Sequence, residues 1–254
     1  MKPILLAGET FFVTSTVAKG YDVGSSASLA NGATRFIAAL ASLGINVSQI
    51  GGERCEAEFP RTVEALQAFS AVVLSDVGAL SLLLTPETRQ GLAGINRLDV
   101  LRQWVHAGGG LMMAGGYTSF QGMDGMARFH DTPLEDCLPV ECLPYPDGLE
   151  APEGLNPEIV DNGHPILSGL PSQWPSILGM NKVIARVEPD GQVLVTSRYR
   201  GHDHPLLAVR DYGQGRTLAW TTDIGPHWLS QAFLNWDGYD AIITRMVRWV
   251  GRDL

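Results

Sequence analysis

Five residues of types that move protons or bind polar groups each fall just beyond an apolar run: Glu9, Asp76, Tyr117, Asp223 and His227. Glu9 follows Ile4-Leu-Leu-Ala7 and Gly8, and Asp76 follows Ala71-Val-Val-Leu-Ser75. Tyr117 follows Leu111-Met-Met-Ala114 and two glycines, and Asp223 comes three residues after Trp220. In open α/β sheets, ligands gather in the crevice beyond the carboxyl ends of the strands, so residues placed in this way converge. Carboxylates grouped around a phenol suit general acid/base work, because clustered carboxylates raise one another's pKa. The competing expectation is that Glu9 and Asp76 cap helices or satisfy loop N–H groups.

The segment Gly108-Gly-Gly-Leu-Met-Met-Ala-Gly-Gly-Tyr-Thr-Ser-Phe120 marks the site most sharply. It reads as a strand turning abruptly into a helix, with Gly115 and Gly116 free to adopt positive φ and Tyr117 at the apex. A phenol there should point into the crevice, within reach of Glu9, Asp76 or a water between them. The run Asp223-Ile-Gly-Pro-His227-Trp228 places an acid and a histidine on one loop, a base-and-orienter pair if they bond. Ser119 or Ser75 could then serve as nucleophile, although neither has an elbow sequence of its own. His227 could equally fix its loop through backbone bonds. Trp228 and Trp236 read as an apolar wall or as core.

His202-Asp203-His204 has the i, i+2 spacing of two ligands on one strand face. Gly201 before it and Pro205 after it favour an exposed turn, and no metal site is expected. His164, before Pro165, reads as structural, and His106 and His130 have no identifiable partner. No cofactor is expected.

Strand-like and helix-like segments alternate around these positions. Pro3–Ala7, Ile45–Ile50, Ala71–Asp76 and Leu111–Ala114 read as strands of a parallel sheet. Helical spacing links Ala33, Phe36, Ile37, Leu40 and Leu43. It also links Leu98, Leu101, Trp104 and Val105, and closes the chain with Tyr239, Ile242, Ile243, Met246 and Val250. A short helix falls around Val63 and Leu66. Gly8–Ser28 reads as a long polar loop. Residues 124–181 contain nine prolines spaced to interrupt regular elements, which predicts an irregular excursion laid over the sheet. Val183–Val187, Gln192–Thr196, Leu206–Arg210 and Arg216–Trp220 are strands, the last two joined by a Gly213-Gln-Gly215 hairpin. One domain over 1–254 is expected.

With 45% apolar and 18% charged residues among 254, the chain can build a core. A net charge of −9 and the lack of a basic stripe disfavour nucleic acids and anionic membranes. No apolar run approaches transmembrane length, and the apolar part of the N-terminus is too short for a signal peptide. Cys55, Cys137 and Cys142, an odd count without metal spacing, fit reduced thiols and a cytoplasmic protein.

Gly8-Glu9-Thr10, Leu74-Ser-Asp-Val-Gly78 and the Gly109–Gly122 elbow resemble the glutamine amidotransferase-like family of the class I amidotransferase-like superfamily. So do His164-Pro-Ile-Leu-Ser-Gly-Leu-Pro171, Pro205–Gly215 and Thr221-Thr-Asp-Ile-Gly-Pro-His-Trp228. The His-Pro-Ile and Gly-Gln-Gly segments are also similar to trehalose-utilisation-type relatives. The resemblance implies a flavodoxin-like three-layer α/β sandwich, mostly parallel, with the active region at the elbow. It does not bring the activity with it. A class I glutaminase needs an elbow Cys activated by His, and this chain has Tyr117 there and Thr221-Thr-Asp223 in place of a His-Pro-Glu sequence. A tyrosine with an ordinary pKa of about 10 is a poor acyl-transfer nucleophile. Cys55 lies in a loop-like Glu-Arg-Cys-Glu context whose acids disfavour the thiolate.

The resulting expectation is a protein that is not a working glutaminase and that binds or acts on a small polar molecule at the crevice. One alternative is a hydrolase or isomerase with a carboxylate/His site; another is a catalytically silent binding or assembly module. Homo-oligomerisation is expected through Asp131–Pro175, where Leu138, Val140, Leu143, Tyr145 and Trp174 either form an interface or cover the sheet within one subunit.

Overall fold

The apolar runs differ from amphipathic strands in being buried on both faces, as parallel strands covered by helices must be. In the computed structural model, which describes residues 1–187 and 189–254, β1 (Ile4–Gly8) leads into an antiparallel pair, β2 (Thr10–Lys19) and β3 (Asp22–Asn31). Then come β4 (Val47–Ile50), β5 (Ala71–Ser75) and β6 (Gly110–Ala114). The second half adds β7 (Val140–Cys142), β8 (Gly148–Leu155), β9 (Pro157–Ile159), β10 (Ile177–Asn181) and β11 (Val183–Ala185), followed by β12 (Gln192–Tyr199), β13 (His202–Tyr212) and β14 (Gly215–Trp220).

The main sheet has eight strands in the order β4-β1-β5-β6-β14-β13-β12-β9. The first five are mutually parallel and the last three alternate antiparallel. β6, the elbow strand, is central and parallel to both neighbours. The fold is therefore a mostly parallel α/β sandwich in which β14, the second strand of the C-terminal hairpin, also joins the parallel part.

Alternation along the strands splits the core into two layers. Ile4, Leu6, Val73, Met112 and Trp220 face the helices Thr34–Ser42 and Tyr239–Val250. Leu5, Val72, Leu74, Leu111 and Met113 face the other way, onto Arg97–His106 and the short helices preceding it. No helix among the described residues is long and apolar enough to cross a membrane.

Three expectations are corrected. The stretch Gly8–Ser28 is not a loop: it forms most of the β2–β3 hairpin, which ends at Asn31. The stretch is polar on average, yet its Thr, Val and Phe residues are strand formers, and Gly20 at φ 64° supplies the turn. The excursion is not irregular either. It holds β7 to β10, and Pro152 is tolerated in β8 because it falls where the β8–β10 register shifts, between Glu150 and Leu155. Leu138, Val140, Leu143 and Trp174 are buried within the chain, so they cover the sheet; Tyr145 is exposed. Finally, no α-helix follows the elbow; a single 3-10 turn, Met123–Gly125, takes its place. Gly116, Phe120 and Gly122 all have positive φ, and the chain curls back so that Met123 N–H donates to the Tyr117 carbonyl at 2.8 Å.

Candidate active site

At the apex, Gly115 N–H is shared between the carbonyls of Trp220 (2.7 Å) and Thr222 (2.9 Å), which ties β6 to the end of β14. A Cβ on Gly115 would lie 2.3 Å from the Thr221 carbonyl oxygen. Gly116 sits at φ 146°, and a Cβ there would lie 2.8 Å from Asp76 Oδ1. Only glycines allow the backbones to approach this closely.

The turn is clamped from the excursion side. Buried Asn181, at the end of β10, accepts from Gly116 N–H at 3.0 Å and donates to the Gly116 and Ser119 carbonyls at 3.2 and 3.3 Å. It also donates to Asp147 Oδ1 at 2.8 Å. Asp147 in turn accepts the N–H groups of Gln121 and Gly122, both at 2.8 Å. Neither residue is signalled by a motif; their only trace in the sequence is a polar residue set beside an apolar run.

Glu9, Asp76, Tyr117, Asp223 and His227 all line one cavity of about 800 Å³, with Thr10, Phe11, Asn31, Met126 and Pro226 among its other walls. Glu9, Asp76 and His227 have positive φ (60°, 47° and 105°), strained for residues with side chains. Such strain costs about 1–3 kcal/mol each and gathers at functional sites.

Glu9 is only 6% exposed and accepts from Ser75 Oγ at 2.5 Å. Burial pushes its pKa up to about 8 against the Ser75 bond, and the charges of Asp223 and Asp76 add to the rise. Asp76 Oδ1 accepts from Thr118 N–H (2.7 Å) and Thr118 Oγ1 (2.9 Å), so this carboxylate also holds the elbow turn. Ser119 Oγ receives Asp76 N–H at 3.1 Å. Ser75 and Ser119 are both engaged as supports, and neither stands as a nucleophile.

The Tyr117 hydroxyl does not reach for Glu9 or Asp76. It donates to Glu150 Oε1 at 2.9 Å and lies 3.3 Å from His227 Nε2. Burial, then the Glu150 bond, pushes its pKa up to about 12, so it is a proton-holding phenol at neutral pH. Glu150 is the site residue that motif reading missed. It projects from β8 between buried Leu149 and Ala151, and that alternation was the available signal. Trp228 Nε1 also donates to Glu150 Oε1, at 3.0 Å. Trp228 stacks on His227 with ring centroids 6.0 Å apart and is fully buried, so it supports the histidine instead of lining the cavity. Trp236 packs on Trp174 and Phe233 in the core layer.

His227 Nδ1 lies 3.7 Å from Asp223 Oδ2, an ion-pair separation, and Nε2 lies 3.6 Å from Glu150 Oε1. Asp223 raises the imidazole pKa, burial opposes it, and Glu150 adds to the rise. Burial raises the pKa of Asp223, opposed by His227 and by the Trp228 N–H that it accepts at 2.9 Å. Tyr117 and His227 are 110 residues apart in sequence. The end of β14 and the end of β6 bring them together through the parallel pairing of those strands.

All three cysteines are buried and free, and burial raises each pKa: Cys55 and Cys137 to about 12, and Cys142 well above its usual value. Cys55 opens a short helix, and burial more than flanking acid suppresses its thiolate. His164 caps the turn Pro165–Leu167 by accepting Ile166 N–H. His202-Asp203-His204 is not a turn but the start of β13, paired with β12 beyond the Arg200-Gly201 turn, with His202 and Asp203 exposed; no group of three His, Cys, Asp or Glu able to hold a metal ion occurs among the described residues.

The chain matches the family model described as "Putative glutamine amidotransferase" over residues 3–252 and belongs to that family. It is 32% identical to the structure titled "Cytoplasmic Protein STM3548 from Salmonella typhimurium", with 98% of this chain and 99% of that one covered and a TM-score of 0.90. The STM1381 cytoplasmic protein of Salmonella typhimurium LT2 is also 32% identical, over 98% and 99% of the two chains, with a TM-score of 0.89. A "thua-like" protein from Parabacteroides merdae ATCC 43184 shares the fold at 14% identity, 98% and 90% coverage and a TM-score of 0.60. A comparison with curated protein sequences gave no match.

Proposed function

We propose that this protein binds a small, hydroxyl- or amine-bearing molecule in the strand-end crevice and acts on it by proton transfer, and that it does not hydrolyse glutamine. The observation that carries this reading is the cavity lining, which combines acids, a phenol and an imidazole. Glu9, Asp76 and Asp223 line it together with Tyr117 and His227, and no Lys or Arg does so among the described residues. Such a wall accepts hydrogen bonds from hydroxyls or amines. It has no cation for the α-carboxylate of an amino acid or for a phosphate.

In this scheme His227 is the base or acid; Asp223, 3.7 Å from its Nδ1 and beyond hydrogen-bond length, acts on it as a nearby charge. Tyr117 keeps its proton and donates it to developing charge, while Glu150 holds that phenol in place. Glu9 supplies a second protonated group near neutral pH. The raised thiol pKa values remove the alternative nucleophiles. A second reading, a silent binding module, is favoured by one observation: the Tyr117 and Asp76 side chains already have protein partners at 2.9 and 2.7 Å. By analogy with the Salmonella relatives, described as cytoplasmic proteins, the working compartment is the cytoplasm.

Thermal-shift screening of neutral polyols, amines and small anions tests the proposal. Polyols or amines should raise Tm, and Asp223→Asn and His227→Ala should abolish the rise. Binding of anions alone, or ammonia release from glutamine that thiol alkylation stops, would overturn it. A ligand that binds but is never converted would select the silent module.

A further inference from the structure

The β2–β3 hairpin stands largely exposed to solvent. Its ten-residue strands run in unbroken register from Thr10↔Asn31 to Lys19↔Asp22, a ribbon about 33 Å long at the usual rise of a strand. Beyond its root nearly every residue on both faces is exposed. Its packing on the rest of the chain is concentrated on the Gly52–Arg54 turn beside that root. A lone two-stranded ribbon is marginal in water and needs a third strand or another surface to hold it.

Chemistry narrows what that surface can be. The segment 10–31 carries only two charged residues, Lys19 and Asp22, of opposite sign and both at the tip. Phe11, Phe12, Val13, Val17, Tyr21, Val23 and Leu29 are all exposed. A phosphate backbone or an anionic membrane finds one lysine here. The two outer edges have none of the usual guards, whether proline, bulge or a row of lysines. An unguarded, neutral, β-prone ribbon is self-complementary: two copies related by a two-fold axis can pair edge to edge and stack their apolar faces.

The area is sufficient. At about 200 Å² for a fully exposed aromatic side chain, Phe11, Phe12 and Tyr21 leave about 400 Å² uncovered on each copy. Phe11, Val13 and Val17 stand on one face and Phe12, Val23 and Leu29 on the other, so two arms approach the roughly 1,200 Å² of a specific interface when the partner covers both faces. The arm is also continuous with the crevice, because the cross-strand pair Phe11 and Ala30 lines it, while the next pair, Phe12 and Leu29, points to the opposite face.

We infer that the β2–β3 hairpin is a dimerisation arm that packs against a second copy of this chain and closes the mouth of the crevice. The closure rests on the site reading above; the dimer does not. Sedimentation velocity on the full chain at micromolar concentration should give twice the 27.4 kDa chain mass. Phe12→Asp combined with Leu29→Asp, neither of which lines the cavity, should give the monomer with an unchanged circular-dichroism spectrum. That monomer should bind a crevice ligand at least about tenfold more weakly. A wild-type monomer at every concentration would overturn the dimer, as would a dimer that survives both substitutions. Monomer that pellets with neutral phosphatidylcholine vesicles would overturn it in favour of a membrane. A monomeric variant that keeps full ligand affinity would overturn the closure alone.

Discussion

The elbow and the excursion each supply half of the crevice, and they position their side chains by different physical means. At the elbow, position comes from the backbone. Gly115 and Gly116 allow two strand ends to touch, and strained φ values at Glu9, Asp76 and His227 aim those residues into one cavity. In the excursion, position comes from buried polar bonds. Asn181 and Asp147 fasten β8 and β10 to the turn, and β8 then carries Glu150 to the Tyr117 hydroxyl. Backbone-built sites announce themselves through glycines and acids at strand ends. Sites built by a buried polar pair announce very little.

Cutting the pair should be the most damaging way to test this contrast. Asn181→Ala leaves the Gly116 N–H and an Asp147 oxygen short of a partner in a dry interior. We expect a stability loss of about 2–4 kcal/mol in urea denaturation. A loss under about 0.5 kcal/mol would mean that the excursion is held by its apolar cover and not by this pair.

Glu9 tests the elbow side through pH. Its carboxyl is raised from its usual value to about 8, so between about pH 4.5 and 8 the native state holds a proton that the unfolded state releases. Stability conferred by the protonated form is therefore present at low pH and falls as pH rises through that window. Glu9→Gln keeps the shape without the charge. It should flatten this slope and leave the variant more stable than wild type at pH 9, by on the order of 2 kcal/mol, with little difference near pH 5. Parallel pH–stability curves for the two proteins would contradict the burial of this acid.

Tyr117→Phe, which keeps the ring and removes the hydroxyl's contacts with Glu150 and His227, should be smaller. A cost under about 1 kcal/mol in stability, with ligand affinity weakened about fivefold or more, separates a working hydroxyl from a merely packed ring. Tyr117→Cys should place a thiol at the exposed elbow that iodoacetamide alkylates at least about tenfold faster than the three buried cysteines. Glutamine hydrolysis should still be absent, because the lining offers its α-carboxylate no cation.

Sequence reading recovered the parallel strands because each is a short apolar run closed by glycine or acid. It brought Glu9, Asp76, Tyr117, Asp223 and His227 to one cavity wall because strand ends can be located from those runs. It missed Glu150 because the surrounding prolines hide an alternation that only the β8–β10 pairing, with its register shift at Pro152, makes sense of. It missed the hairpin because Thr is counted as polar although it favours strands. The partner of the Tyr117 hydroxyl was misplaced for a related reason: the apex was read against its neighbours in the parallel sheet, and the excursion strand that crosses above it supplies the acceptor.

The imidazole of His227 reports on both halves at once, since Asp223 belongs to the strand-end rim and Glu150 to the excursion. Its pKa, followed by NMR, should lie above 6.5 in the free protein and fall in both Asp223→Asn and Glu150→Gln. It should shift again when a polyol or amine from the thermal screen saturates the crevice. A histidine that titrates at its ordinary value, and that responds neither to the two substitutions nor to ligand, would contradict the proposed acid–base site.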